Sequence, residues 1–464
     1  MIRMTLDEIA AVTGGRLVNA GPDATVTGPV EYDSRALLPG GLFVAFAGEK
    51  VDGHDYAAKA VAAGAAGVLG SRDTGRPGVV VDDPLAALAK LAHVVVGRLP
   101  ELTVVGLTGS SGKTTTKDYI GQVLARLGST VAPAGSLNNE LGFPYTVLKA
   151  TPETRFLVLE MGARGIGHIA YLAGIAAPRI GVVLNVGAAH IGEFGSVEGT
   201  ARAKGELVES LPADGLAVLN ADDELVSAMA SRTKARVVFT GESERADVRA
   251  TDVRLDERGR AAYTLVAPDG GSAPVRLAVT GRHQVANTLA AAAVALEAGM
   301  PVEAVADALG EVGIVSSRRM DVFDRPDGVT VIDDSYNANP SSTAAALRAL
   351  AAMGEGRRTV AVLGYMAELG EYEQSGHRDV GRLAAELGVD RLVAVAEAAP
   401  VLDGAAGVQD WKGEPIAAAD QAAAIAAVLG DLRPGDVVLV KGSRYRTWEV
   451  ADALRAEAAE EVGP

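Results

Sequence analysis

The sequence predicts an α/β protein of three domains: a central parallel-sheet domain, flanked by a small N-terminal α/β domain and a C-terminal Rossmann-like α/β domain. Three observations lead there. Short β-branched runs alternate with helical periodicity along nearly all of the chain, the pattern of a mostly parallel sheet covered by helices on both faces. The 464 residues correspond to about three domains at ~150 residues each. Finally, V-V-G-L-T-G-S-S-G-K-T-T-T, beginning at Val104, reads as a buried strand, a Gly/Ser turn and the start of a helix.

That last stretch is a P-loop in the central domain, and it organises the rest. Gly109 and Gly112 let backbone N–H groups turn inward around phosphate oxygens with no Cβ in the way. The positive end of the helix dipole adds to this. Lys113 can reach the β- and γ-phosphates, and the Thr114 hydroxyl can ligate Mg²⁺, with Ser110, Ser111 and Thr115 completing the turn. The glycines stand at Gly106 and Gly109, where the strict spacing would place one at Leu107. A solvated lysine on a Gly-rich turn is the plainer alternative. The strand–loop–helix setting favours phosphate binding, and so a nucleotide site.

The elements follow in order. Residues 1–83 carry strands at 26–32, 41–47, 66–69 and 79–81 and a helix at 56–63. Two polar clusters punctuate them: Asp33, Ser34 and Arg35, then 48–55 with Asp52 and His54. Such clusters are ordinarily turns, and at strand ends they can also meet a ligand. Residues 84–314 continue with a helix at 84–98, the strand 102–107, and buried strands at 156–160, 180–186, 216–220 and 237–240. Helices at 166–173 and 197–211 lie between them. A hairpin at 249–255 and 261–266 is added to one edge, an Ala-rich helix covers 286–298, and 310–317 reads as a linker. Residues 315–464 begin a second alternation, with strands at 329–333, 359–363, 391–395 and 437–440. Helices at 341–353, 374–387, 418–429 and 447–459 separate them.

Composition narrows the class. Lys and Arg number 43 against 59 Asp and Glu, a net charge of −16, which opposes any general affinity for nucleic acid or an anionic membrane. Cysteine is absent, excluding disulfides, thiolate catalysis and Cys-ligated metals. No apolar run approaches the ~18–20 residues of a membrane span, and the N-terminus lacks an apolar signal core. A cytoplasmic protein is expected.

Candidate chemistry gathers at strand ends. Glu160 closes the apolar strand F-L-V-L-E, where open α/β sheets bind ligands, and metal ligation is the reading its position favours. His190 follows the strand at 180–186; a lone loop histidine is ordinarily solvated. Lys204, in A-R-A-K-G-E-L, reads by itself as a surface lysine. G-R-H-Q-V-A-N at 281–287 either caps the Ala-rich helix or reads an adenine edge. In the last third, I-D-D-S-Y-N-A-N-P, L-G-Y-M-A-E-L-G and V-K-G-S-R each follow an apolar strand, and together would form one rim for a second substrate.

Taken together, T-G-S-S-G-K-T-T-T, E-M-G, A-A-H, A-K-G-E, G-R-H-x-x-x-N, D-D-S-Y-N-A-N-P and V-K-G-S-R resemble, in order, the motifs of the Mur ligase family of peptidoglycan synthesis. Within it, L-N-N-E-L-G-F-P at 137–144, S-Y-N-A-N-P and K-G-S-R together resemble its D-alanyl-D-alanine-adding branch. The resemblance implies that 1–83 binds the UDP-sugar, 84–314 binds ATP and 315–464 binds the amine. The substrates would be UDP-N-acetylmuramoyl-tripeptide and D-alanyl-D-alanine, joined through an acyl phosphate by a monomer. Lys113 and Thr114 would hold ATP and Mg²⁺, Glu160 and His190 would bind Mg²⁺, and Lys204 would carry a CO₂-derived carbamate for a second Mg²⁺. Asn287 would contact adenine, Arg319 the γ-phosphate and Asp334 the nucleotide. Asp33, Ser34, Arg35, Asp52, His54, Asn138 and Asn139 would lie near the muramyl peptide. Tyr336, Asn337, Asn339, Lys441, Ser443 and Arg444 would form the amine rim. Gln284 stands where the family often has Asn, and S-S-R-R-M replaces P-G-R-[LM] around Arg319. Two other readings stay open: a different carboxylate–amine ligase, such as a folylpolyglutamate synthetase, or an ATP-driven switch that makes no bond.

Overall fold

The computed structural model describes residues 1–187 and 194–460, without the side chains of 457–460. Three main sheets run along the chain. The first has the order Arg16–Val18, Gly78–Val80, Gly67–Gly70, Leu42–Val44, Val30–Glu31 and is parallel except for its first pair. The helix Leu6–Thr13 opens the chain, with Thr5 and Glu8 forming a capping box at its N-terminus. Sequence periodicity left this helix out, although T-L-D-E is a start signal. The helix Pro84–Gly97 packs against Leu6–Thr13 on one side. Its Leu88, Leu91 and Val95 belong to one core reaching from Met4 to Leu172.

The central sheet has nine strands. From one edge the order is Thr130–Val131, Phe156–Glu160, Thr103–Thr108, Ile180–Val183, Leu216–Asn220, Arg236–Gly241, Val248–Leu255, Arg260–Val266, Ser272–Thr280. All neighbours are parallel up to Val248–Leu255, and the last three strands form an antiparallel meander. Ser272–Thr280 extends the expected hairpin by a strand. Its alternation is regular, and its Pro274 is tolerated because the strand lies at the free edge of the sheet. Thr103–Thr108 sits where strand order reverses, with Phe156–Glu160 on one side and Ile180–Val183 on the other. That reversal opens a crevice at the carboxyl ends of these strands.

The third sheet runs Asp321–Asp324, Thr330–Asp334, Val437–Lys441, Thr359–Leu363, Arg391–Val395, Glu414–Ala418, parallel after its first pair. Residues 414–418, adjoining the expected helix at 418–429, form an edge strand, and the helix is Gln421–Leu429. The segment before this sheet is pinned rather than loose. Gln122, on the helix Lys113–Leu124, exchanges two hydrogen bonds of 3.0 Å with the backbone of Gly313. Asp118 accepts the Ser316 N–H at 3.1 Å and pairs with buried Lys117 at 2.8 Å. Lys117 also donates to the carbonyls of Pro133 and Gly135. Asp118→Ala would leave this ammonium in the interior without its counter-ion. A loss of about 3–5 kcal/mol is expected, read as a lower urea midpoint; an unchanged midpoint would show that the pair contributes nothing.

Candidate active site

The phosphate loop closes the strand Thr103–Thr108 and feeds the helix Lys113–Leu124 through Gly112, whose φ is +79°. A Cβ there would fall 2.6 Å from the Asn287 Oδ1. Gly112→Ala thus meets both backbone strain and a fixed side chain. A cost of about 1–2 kcal/mol from φ alone is expected, seen as a lower melting temperature with weakened nucleotide binding; a parent-like melt would refute it. The loop is braced from the neighbouring strand: Ser111 N–H donates to Asn185 Oδ1 at 2.9 Å, and Gly187 N–H to Ser110 Oγ at 2.8 Å.

Lys113 lies half-buried across the loop and donates to the Gly109 carbonyl at 2.8 Å. Desolvation lowers its pKa, opposed by the Glu160 carboxylate and reinforced by the Arg319 charge. Glu160 is itself buried. Thr114 Oγ1 donates to its Oε2 at 2.7 Å, while Ser136 Oγ and Asn138 Nδ2 donate to Oε1 at 2.8 and 2.6 Å. A carboxylate and a hydroxyl held side by side, next to a phosphate cradle, are hard oxygen donors suited to Mg²⁺. His190 lies outside the described residues. Among those described, no group of three or more His, Cys, Asp or Glu forms a metal cluster.

From the C-terminal sheet comes the opposite wall. Asp334 and Lys441 are register partners on adjacent strands, and they pair at 2.7 Å. Lys441 also donates to the Asn337 carbonyl at 2.6 Å, so it shapes the loop at 335–339 from beneath. Asn339 caps the helix Pro340–Met353 and reaches the Ser110 carbonyl at 3.5 Å. Arg319 lies over the Tyr336 ring at 4.1 Å, and its Nε is buried with no hydrogen-bond partner among the described residues. Arg318 and Met320, on either side, both have positive φ, +61° and +53°. Arg318 is tied to the Trp448 carbonyl and Asp452, and the Met320 N–H to Asp334. S-S-R-R-M thus presents Arg319 from a strained backbone held at both ends.

A cavity of about 310 Å³ results. The phosphate loop, Asn138, Glu160, Asn287, Arg319, Asp334, Tyr336, Asn337, Asn339 and Lys441 all line it. An adjoining cavity of about 120 Å³ is lined by Lys113, Asn138, Asn139 and Lys204, with Arg164, His168 and Glu368. Lys204 is no surface lysine. It is 2% exposed on the helix Val197–Glu209, and burial, then the nearby Lys113 charge, pushes its pKa down to about 7.

Other expected contacts take different places. His54 is buried; its Nδ1–H donates to Asp52 at 2.6 Å and its Nε2 accepts the Ser71 N–H at 2.9 Å. That engages both ring nitrogens inside the first unit, where the His54 side chain clamps two loops together. Asp33 and Arg35 pair with each other at 2.7 Å, and the guanidinium holds the Asp33 carboxyl down at about 2. Asp33, Ser34, Arg35, Asp52, Ser443 and Arg444 line neither cavity. Asn138 serves Glu160, and Asn139 Oδ1 accepts the Gly142 N–H at 2.8 Å to start a helix. Gln284 accepts from Asn287 Nδ2 at 2.9 Å, packing that side chain beneath the loop. Sequence reasoning passed over Asn185 and Ser136, and took His283 only as part of G-R-H-Q-V-A-N. His283 lines the larger cavity, where desolvation lowers its pKa against the pull of Asp334.

Comparison with known proteins agrees with this arrangement. Family models match over residues 29–101 (Mur ligase family, catalytic domain), 107–295 (Mur ligase middle domain) and 318–444 (Mur ligase, glutamate ligase domain). The chain is 50% identical to UDP-N-acetylmuramoyl-tripeptide–D-alanyl-D-alanine ligase of Mycobacterium tuberculosis H37Rv, covering 98% of both chains. Against the protein of the same name from Escherichia coli K12 it is 38% identical over 97% of both. Among solved structures, MurF from Acinetobacter baumannii matches with a TM-score of 0.85 and 32% identity, covering 99% of both chains. MurF ligase from Thermotoga maritima in complex with ADP matches with a TM-score of 0.78 and 29% identity, over 94% of this chain and 99% of that one. With three family segments in order along the chain and a relative 50% identical over 98% of both chains, the chain belongs to the Mur ligase family.

Proposed function

We propose that the protein is an ATP-dependent ligase that joins D-alanyl-D-alanine to UDP-N-acetylmuramoyl-tripeptide in peptidoglycan precursor synthesis. One observation carries the reading: a single cavity has the phosphate loop on one wall and Asp334, Tyr336, Asn337 and Lys441 on the other. Activating a carboxylate with ATP and capturing it with an amine needs both chemistries in one enclosure. The identity of 50% to the M. tuberculosis enzyme of that name supports the choice of substrates.

The charges dictate the division of labour. The peptide carboxylate and the γ-phosphate repel each other, so cations must gather them. Lys113 and Arg319 supply two, and the loop N–H groups a third set of donors. Phosphoryl transfer makes an acyl phosphate; the dipeptide amine attacks its carbonyl carbon, loses a proton and expels phosphate. Lys113 and Arg319 stabilise the oxyanion formed on the way. Mg²⁺, when bound, neutralises phosphate charge; Thr114 and Glu160 would hold it, and His190 is assigned with them. Lys204 is assigned a carbamate, because a buried amine with a lowered pKa is neutral enough to add CO₂. Residues 1–83 are assigned to the UDP-sugar, 84–314 to ATP and 315–464 to the dipeptide. Asp33, Ser34 and Arg35 remain candidates for the sugar nucleotide. We assign the protein to the cytoplasm as a monomer; no described helix is long and apolar enough to cross a membrane.

A coupled phosphate-release assay tests the reading. Release is expected only with ATP, UDP-N-acetylmuramoyl-tripeptide and D-alanyl-D-alanine together. Release with a folate and glutamate, or without the dipeptide, would replace it with one of the other ligase or switch readings.

A further inference from the structure

We propose that His377 is a positioning residue that, as a neutral imidazole, holds the loop at 364–369 against its neighbours and so shapes the amine-substrate rim. The inference rests on the ligase reading above for what the rim binds, and on geometry for the rest. His377 lies in the first turns of the helix Glu373–Glu386 and is 1% exposed. Its Nδ1–H donates to the Glu373 carbonyl at 2.7 Å, and its Nε2 accepts the Met366 N–H at 2.9 Å. One carbonyl and one N–H admit a single protonation state: a proton on Nε2 would face the Met366 N–H.

Through that ring three loops are joined. Tyr365 stacks on His377 with centroids 5.2 Å apart, and Tyr445 meets Tyr365 edge-on at 6.1 Å. Gly364 N–H donates to the Lys441 carbonyl at 2.7 Å, and a Cβ on Gly442 would strike Gly364 Cα at 2.7 Å. Thr343, near the start of the helix Pro340–Met353, donates to the Met366 sulfur at 3.7 Å. Gly376, next to His377, admits Leu369 and Pro340 so closely that a Cβ would lie 3.1 and 3.3 Å from them. The turn at 373–377 therefore packs on the loop at 364–369 and on the start of the helix Pro340–Met353, and reaches Tyr445 beside the third strand-end loop through Tyr365.

Two measurements on the full-length protein test this. Nitrogen-15 NMR of histidine-labelled protein, with His377 identified by its loss in His377→Gln, is expected to show a neutral ring protonated on Nδ1. A ring protonated on Nε2, or on both nitrogens, would overturn the proposal. Steady-state kinetics then compare His377→Leu, which removes the acceptor, with His377→Gln, which can return one to Met366. The Leu variant should raise KM for D-alanyl-D-alanine roughly tenfold, the effect of one buried N–H left unpaired, with KM for ATP and UDP-N-acetylmuramoyl-tripeptide unchanged; Gln should restore most of the loss. An unchanged dipeptide KM in the Leu variant, an equal rise in all three KM values, or a Gln variant no better than Leu would each overturn it. If His377→Leu does not fold, the tautomer and the Gln variant decide. Absence of ligation by the unaltered protein would count against the ligase reading instead, and the NMR result would still judge the ring.

Discussion

Lys113→Ala is expected to lower the ligation rate by about 10²–10³-fold, the cost of removing one preorganised charge from a transition state, while leaving the protein folded. Among the described residues the lysine makes one hydrogen bond, to Gly109 in its own loop, and no ion pair, so its removal strands no carboxylate there. What the protein loses is a cation already drawn out of water before the reaction begins. Desolvation lowers its pKa, and the nearby Glu160 keeps the ammonium form in play. Lys113→Arg should rescue poorly, because a planar fork cannot replace a compact ammonium in a space closed by Gly109 and Glu160. Circular dichroism and a thermal melt establish folding, and single-turnover phosphate release measures the step. Near-parental turnover by the Ala variant would rule out the phosphate-loop assignment.

Lys204→Ala is expected to cost on the order of 10²-fold in rate, with partial recovery when a short carboxylic acid is added. The amine is fully enclosed, beside a second ammonium, and both facts favour its neutral form. A neutral amine adds CO₂ and releases a proton, converting a repelling cation into an oxygen donor for a metal. The sign with pH follows: raising pH through about 7 increases the neutral fraction of Lys204, so activity at low bicarbonate should rise across that window. In ¹³C-bicarbonate the parent should show a carbamate carbonyl signal that the Ala variant lacks. The same signal in both proteins, or unchanged activity of the variant, would remove the carbamate from the mechanism.

Local sequence patterns determine much of this protein. Buried apolar runs such as those in Phe156–Glu160 and Thr359–Leu363 match the strands residue for residue, because a strand covered on both faces has little choice but continuous apolar residues. The phosphate loop was legible for a related reason: turn, dipole and lysine all lie within one short stretch. Edge elements were harder. Ser272–Thr280 and Glu414–Ala418 each carry a proline, which a free edge accommodates.

What only the tertiary structure decided are relations between distant residues. Spacing along the chain cannot say that Asp334 faces Lys441 across a strand pair, or that Asn138 serves Glu160. Nor can it say that His54 spends both nitrogens inside its own unit, or that Lys204 is buried beside Lys113. A side chain's chemistry belongs to its type, and that is written in the sequence. Its charge state, its partners and the space left for a ligand depend on what the fold packs around it, and those neighbours come from strands tens to hundreds of residues away.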